Sequence, residues 1–247
     1  MGPRVAVVTG VGRIRSIGSA LAVGLAEDGW DLILNYWTPY DDRLGYVRDA
    51  DDPERVAETC RALGVSVSLA PGDLSDPSVP ARLFDAAARP VTGLVMSHCE
   101  SEDSSVLTTD VDSWDRHFAV NARATWLLIK AFAEQLDGSG GRIAALTSDH
   151  TAHNLPYGAS KGALDRIVTA AAVELADLNV RANVVNPGPV DTGWMTENIR
   201  EAAIAATPAG RLGTAEDTSN LVRFLFSDAG SWINGQVLYS NGGFRIT

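Results

Sequence analysis

The stretch SDHTAHNLPYGASK, Ser148 to Lys161, gathers side chains able to move a proton. Pro156 suits a first helical position, because its missing N–H costs nothing there and its φ is already helical. A helix starting there sets Tyr157 and Lys161 one turn apart on the same face. An ammonium beside a phenol favours the phenolate. The spacing therefore predicts a Tyr157 pKa drawn down toward the working pH, as a general acid needs. Ser148 follows the apolar run Ile143 to Leu146 and offers a hydroxyl to a carbonyl oxygen. Taken alone, Tyr-x-x-x-Lys also describes a surface pair on an ordinary amphipathic helix. The elements around it decide between the two.

Arg4 to Thr9 (RVAVVT) is a β-branched run and predicts a buried strand. A glycine-bearing turn follows, then a helical spacing through Ile17, Leu21 and Leu25 with Gly29 as its stop. Strand, turn and helix N-terminus together make a phosphate cradle, since free N–H groups and the helix dipole face the anion. Gly10, Gly12 and Gly18 do not fit G-x-G-x-x-G, and a plain tight βα turn competes with the cradle. Asp31 to Tyr36 is the second strand. It ends in Asn35-Tyr36-Trp37 with no acid to hold a ribose 2′-OH, while Arg13 and Arg15 lie in the turn. That charge pattern predicts NADP(H) in preference to NAD(H).

Residues 37–51 are polar and aperiodic and are expected to form an insertion loop near the adenosine end. Asp52-Pro53 opens a helix stopped by Gly64, and Val65 to Ala70 is a third strand. Asp73 after it suits either an adenine contact or an Asx turn with Ser75. Gly93 to Ser97 is the fourth strand. Asp112 is expected to cap one long helix through Trp114, Asn121 and Phe132, with Asn121 either a packing compromise or an organising amide. Ile143 to Thr147, Val180 to Val185 and Gln236 to Ser240 complete seven strands, and Thr214 with Asp217 forms a capping-box pattern. Alternation of strands and helices predicts a single-domain, doubly wound α/β fold over residues 1–247, with a parallel seven-stranded sheet and helices on both faces. Ligands in such sheets bind beyond the carboxyl ends of the strands. Gly10, Tyr36, Asp73, His98, Ser148 and Pro187 all follow strand ends, so they fall on that one edge.

The 247 residues carry 20 Lys and Arg against 31 Asp and Glu, a net charge of −11. Such a chain repels phosphate backbones and anionic lipid, which argues against nucleic-acid and membrane-surface partners. The N-terminus shows no apolar signal core, and two cysteines make no disulfide framework, so a cytoplasmic location is expected.

Taken together, these residues resemble the short-chain dehydrogenase/reductase family over essentially the whole chain. The matching pieces are Thr9-Gly10 with Ile17-Gly18, Asp73-Leu74, Asn121, Ser148, Tyr157-x-x-x-Lys161, Pro187-Gly188 with Thr192, and the run Gly235 to Gly243. The closest likeness is to the 3-ketoacyl-acyl-carrier-protein reductase branch of fatty acid synthesis. The resemblance implies a Rossmann fold and a catalytic set of Asn121, Ser148, Tyr157 and Lys161. Tyr157 would give the proton, Lys161 would lower its pKa and hold the nicotinamide ribose, Ser148 would orient the carbonyl, and Asn121 would steady Lys161 through water. It implies a cofactor site of Gly10, Arg15, Ser16, Ile17, Gly18, Asn35, Tyr36, Asp73, Leu74, Met96, Tyr157, Lys161, Pro187, Gly188, Val190 and Thr192. Residues 189–210 would form a substrate lid, and the chain would assemble as a homotetramer or dimer.

Departures from the family pattern are informative. The phosphate turn is longer than usual and has Ser16 where a glycine is customary, a form similar to the enoyl reductase branch. That branch spaces its tyrosine and lysine more widely, and the position that would hold its tyrosine is Asn154. Met96-Ser97-His98-Cys99 replaces the usual Asn-Asn-Ala-Gly, and the loop from Ser148 to Tyr157 is short. His150 and His153 beside Asp149 make only a weak metal pattern, so no metal is expected. The implied activity is NADPH-dependent reduction of a ketone, a 3-oxoacyl thioester or related carbonyl, to a secondary alcohol. A carrier-bound substrate is disfavoured by the acidic helix after Tyr157, which leaves a small ketone, sugar or polyketide-like substrate as the alternative. A nucleotide-binding regulator with little catalysis is the reading from another class.

Overall fold

The β-branched runs become strands because both faces of each can be buried. In the first strand, Val5 and Val7 pack into one apolar cluster, and Ala6 and Val8 pack into the other. That alternation, with apolar residues on both sides, is the mark of a parallel sheet covered on both faces. The computed structural model describes residues 4–85, 87–136 and 138–244, so the ends of the expected domain lie outside the described residues.

Seven strands form one sheet: β1 (Arg4–Thr9), β2 (Trp30–Tyr36), β3 (Val67–Pro71), β4 (Gly93–Met96), β5 (Gly141–Leu146), β6 (Val180–Asn186) and β7 (Val237–Tyr239). Their order is β3-β2-β1-β4-β5-β6-β7, with every neighbouring pair parallel. The chain winds outward in both directions from β1 and β4, so a crevice opens between those two at their carboxyl ends. Helices α1 (Ile17–Glu27), α3 (Asp52–Ala62) and α9 (Ala215–Phe226) cover one face. On the other lie α4 (Val79–Asp85), α6 (Ala124–Glu134) and α7 (Leu155–Glu174). The doubly wound α/β architecture is as expected.

Two local expectations are corrected. Residues 38–44 are not loop but a short helix, α2 (Thr38–Leu44), with Pro39 in its first turn and Gly45 closing it at φ 69°. The long helix expected from Asp112 is capped instead by Asp110, whose side chain accepts from Ser113 N at 2.6 Å. It runs as α5 (Val111–His117), a π-helical turn over Phe118–Arg123, and then α6. Such turns insert a residue and favour functional sites, and this one turns Asn121 inward. Within 189–210, a helix α8 (Glu197–Ala205) is capped by Thr196.

Candidate active site

The carboxyl ends of the strands open onto a groove of about 440 Å³. Its walls include Gly10, Ser16, Ile17, Asn35, Tyr36, Asp73, Leu74, Tyr157, Lys161, Pro187 and Thr192, each expected there from the sequence. The turn is built for close approach. Gly10 has φ +79°, and a Cβ there would lie 2.7 Å from the Ser97 carbonyl carbon. A Cβ on Gly18 would lie 2.4 Å from Gly10 O, so the helix start is pressed onto the strand end. Ser16 caps α1 by accepting from Ser19 N at 3.0 Å. These features fit a nucleotide phosphate, which needs bare backbone and a helix N-terminus.

Other expected residues act from behind the groove. Met96 and Val190 are buried, and the Met96 side chain belongs to the core. The Asn35 amide is spent on the carbonyls of Ala70 and Gly72. Asp73 accepts from Ser75 N at 2.8 Å, the Asx turn, while still lining the groove. Gly188 packs beside Asn241. Arg15 is exposed and lies 3.7 Å from Asp191.

The proton-moving side chains converge as expected. Helix α7 begins at Leu155 and places Tyr157 and Lys161 on the groove wall. Ser148 is delivered just past β5, and its hydroxyl acts on the Tyr157 phenol to lower its pKa. Lys161 is only 2% exposed, and its Nζ donates to Leu146 O at 2.8 Å. An ammonium has three N–H groups, so two remain for whatever fills the groove.

The electrostatics correct one expectation. Burial, the Cys99 thiol and the Asp149 carboxylate push the Tyr157 pKa up, and the Ser148 hydroxyl offsets this only in part. The Lys161 ammonium is 5.8 Å from the phenol ring centroid and is itself pushed down by burial. Desolvation therefore outweighs the attraction that the spacing alone suggested.

Asn121 is fully buried in the π-helical turn. Its Nδ2 donates to Glu100 O at 2.8 Å and to Ser160 Oγ at 2.9 Å, and its Oδ1 accepts from Glu100 N. Both amide donors are spent there. Its side chain thus braces the strand-end loop and α7. His98 is buried against Thr9 Oγ1 at 2.7 Å and Val120 O at 3.1 Å. The carbonyl can only accept, so Nε2 carries the proton and Nδ1 accepts from the threonine. Burial, with Lys161 adding to it, drives the His98 pKa to about 3, so the imidazole is neutral.

Sequence reasoning missed the residues that α2 brings in. Tyr40, Asp41 and Arg43 line the groove, as do Glu100 and Arg116. Arg43 pairs with Glu100, and Arg13 pairs with Asp41 at 3.0 Å. The signals were a proline in the first turn, an acid near the start, an arginine near the end and a glycine stop.

Residues 10–245 match a family model described as enoyl-(acyl carrier protein) reductase. An NADPH-dependent aldehyde reductase-like protein of Arabidopsis thaliana is 36% identical, over 98% of this chain and 94% of its own. A short-chain type dehydrogenase/reductase of Picea abies is 34% identical over 98% of this chain and 93% of its own. A versicolorin reductase of Emericella nidulans is 30% identical over 97% and 95%. Among solved structures, an acetoin dehydrogenase from Salmonella typhimurium superposes with a TM-score of 0.85 at 26% identity, covering 99% of this chain and 98% of that one.

Proposed function

The chain belongs to the short-chain dehydrogenase/reductase family of oxidoreductases, and on that footing we propose that it is an NADPH-dependent carbonyl reductase acting on a small-molecule ketone or aldehyde. The observation that carries this reading is the Tyr157 phenol and buried Lys161 on the wall of one groove at the sheet's carboxyl edge, with the Ser148 hydroxyl acting on the phenol. When bound, the dinucleotide supplies the hydride.

The chain's own residues do the rest. Tyr157 holds its proton as a neutral phenol, because its burial penalises the phenolate. That proton is available to an oxygen as negative charge builds on it. Ser148 can donate to the same oxygen, fixing the carbonyl in line. Lys161 supplies a buried positive charge, anchored by Leu146 O, that favours the phenolate once the proton has gone. Asn121 acts as a positioning residue, holding α7 to the loop after β4. Residues 189–210, with α8, form the lid over the substrate end.

Arg13 in the phosphate turn and the absence of an acid at the end of β2 support NADP(H) over NAD(H), and a relative of NADPH-dependent name agrees with it. The description of the matching family model raises enoyl reduction as a competitor. Asn154 disfavours it: the side chain is buried and donates to Ser101 Oγ at 3.0 Å, with no proton to give. A 3-oxoacyl thioester is the second substrate reading, supported by the catalytic set. Against a carrier-bound form stands α7, where Asp165 and Glu174 leave little basic surface for an acidic carrier.

NADPH oxidation over a panel of aldehydes, ketones and free and carrier-bound 3-oxoacyl thioesters tests the assignment. Tyr157→Phe is expected to lower kcat on any accepted substrate by about a hundredfold or more, while NADPH still binds. Near-full activity in that variant removes Tyr157 as the acid. NADPH binding with no turnover across the panel favours a regulatory protein instead.

A further inference from the structure

Residues 38–52 lie across the phosphate turn, and they place carboxylates where the turn would receive an anion. Asp41 is only 5% exposed, and its carboxylate pairs with Arg13 Nε at 3.0 Å. A Cβ built on Gly12 would lie 2.9 Å from Asp41 Oδ2, so the carboxylate rests on the bare backbone of the turn. Asp52, also buried, accepts from Ile14 N at 3.3 Å. The two donors that a phosphate would seek here, a turn N–H and a guanidinium, are both served by carboxylates of one segment.

The same segment is tied down around that contact. The Tyr46 ring sits over the Arg13 guanidinium, 4.6 Å from its centroid, and Tyr46 N donates to Asp41 O at 2.9 Å. Farther along the groove Arg43 pairs with buried Glu100, and Tyr40 lines the same wall as Cys99. Arg13 also donates to Thr192 O at 2.9 Å, which links the segment to the loop before the lid. Arg13 is thus shared between Asp41, Tyr46 and Thr192, and Asp41 holds it by its Nε. A phosphate dianion can take the guanidinium through two parallel bonds and with more charge.

We propose that Asp41 is a specificity-determining residue of the cofactor site: its carboxylate stands in for the nucleotide's 2′-phosphate on Arg13, so docking of segment 38–46 and phosphate binding at Arg13 exclude each other. NADP(H) displaces Asp41 and loosens the segment. NAD(H), with a hydroxyl at that position, leaves the pair in place. The inference rests on the NADP(H) reading above and adds the residue that tempers it.

Calorimetric Kd values for NADPH and NADH, in wild type and Asp41→Asn, test it together with amide hydrogen exchange of residues 38–46. Asp41→Asn removes a charge at constant shape. It is expected to tighten NADPH by about tenfold and to leave NADH unchanged or weaker. In the wild type, NADPH is expected to speed exchange in 38–46, including Tyr46 N–H, and NADH is not. The inference is overturned if Asp41→Asn binds NADPH no tighter, or if NADPH protects 38–46 in the wild type. The exchange arm decides the matter should the variant fail to fold. The wild-type ratio of the two Kd values reports separately on the NADP(H) reading. A wild type preferring NADH whose Asp41→Asn variant gains NADPH affinity refutes that reading and keeps this one.

Discussion

At Tyr157 a rule of spacing meets a stronger opposing effect. A lysine one turn away attracts a phenolate, and that attraction is real. Here it is set against burial, the nearby Cys99 thiol and Asp149, and those prevail. The sign for activity follows. A reductase needs the phenol protonated, so raising its pKa preserves the acid form through neutral pH and moves its loss to the alkaline side. Ultraviolet difference titration of the cofactor-free protein against Tyr157→Phe isolates this one phenol. The subtracted signal is expected to rise above the ordinary tyrosine pKa of 10.0. A midpoint below that value would mean Lys161 controls Tyr157 without help from any ligand. Ser148 is the counterweight, since its hydroxyl draws the pKa back down.

At the scale of elements, helix α7 has its position set by how closely its start meets the loop before it. A Cβ on Gly158 would lie 2.1 Å from the His150 carbonyl oxygen, a backbone atom with little freedom to retreat. Gly158→Ala therefore has to push the first turn of α7, and Tyr157 with it, away from Ser148. The expected outcome is a loss of about 1–3 kcal/mol in urea unfolding and a fall in kcat well beyond it, since misplacement of about 1 Å can cost a hundredfold. Unchanged kcat with normal stability would show that the loop gives way instead. The small residues Gly158, Ala159 and Ser160 after Tyr157 permit such close packing without naming its partner. The strands, their parallel order and the residues at their carboxyl ends were legible because period and burial fix them together. Helix α2 was not, because seven residues with one apolar stripe too short to repeat look like loop. Nor was the π-helical turn, since Asn121 reads equally well as part of one continuous helix. Asp41 was invisible as a site residue because its role depends on where α2 lands.

For the molecule as a whole, the notable surface lies on the outer side of α5, the π-helical turn, α6 and α7. Phe118, Ala122, Trp126 and Ile167 form a shallow apolar depression there, edged by Asp115 and Arg123, and Trp126 is 52% exposed. Trp114 stacks on Phe118 at 4.8 Å between centroids, which stiffens the rim. A face that carries both an acid and a base beside an apolar centre can complement its own copy across a two-fold axis, Asp115 of one facing Arg123 of the other. The net charge of −11 opposes association, and burial of this apolar centre would offset it. We therefore propose a homo-oligomer built on this face, and the site groove is on a different part of the surface, so each copy keeps its own catalytic set. Analytical ultracentrifugation is expected to give a species at least twice the 26.2 kDa chain mass. Trp126→Glu places a like charge at the centre of a symmetric contact and is expected to shift that species to monomer, with the shift partly relieved by salt. A Trp126→Glu protein that sediments as wild type, or a wild type that is monomeric at tens of micromolar, removes this face as the interface.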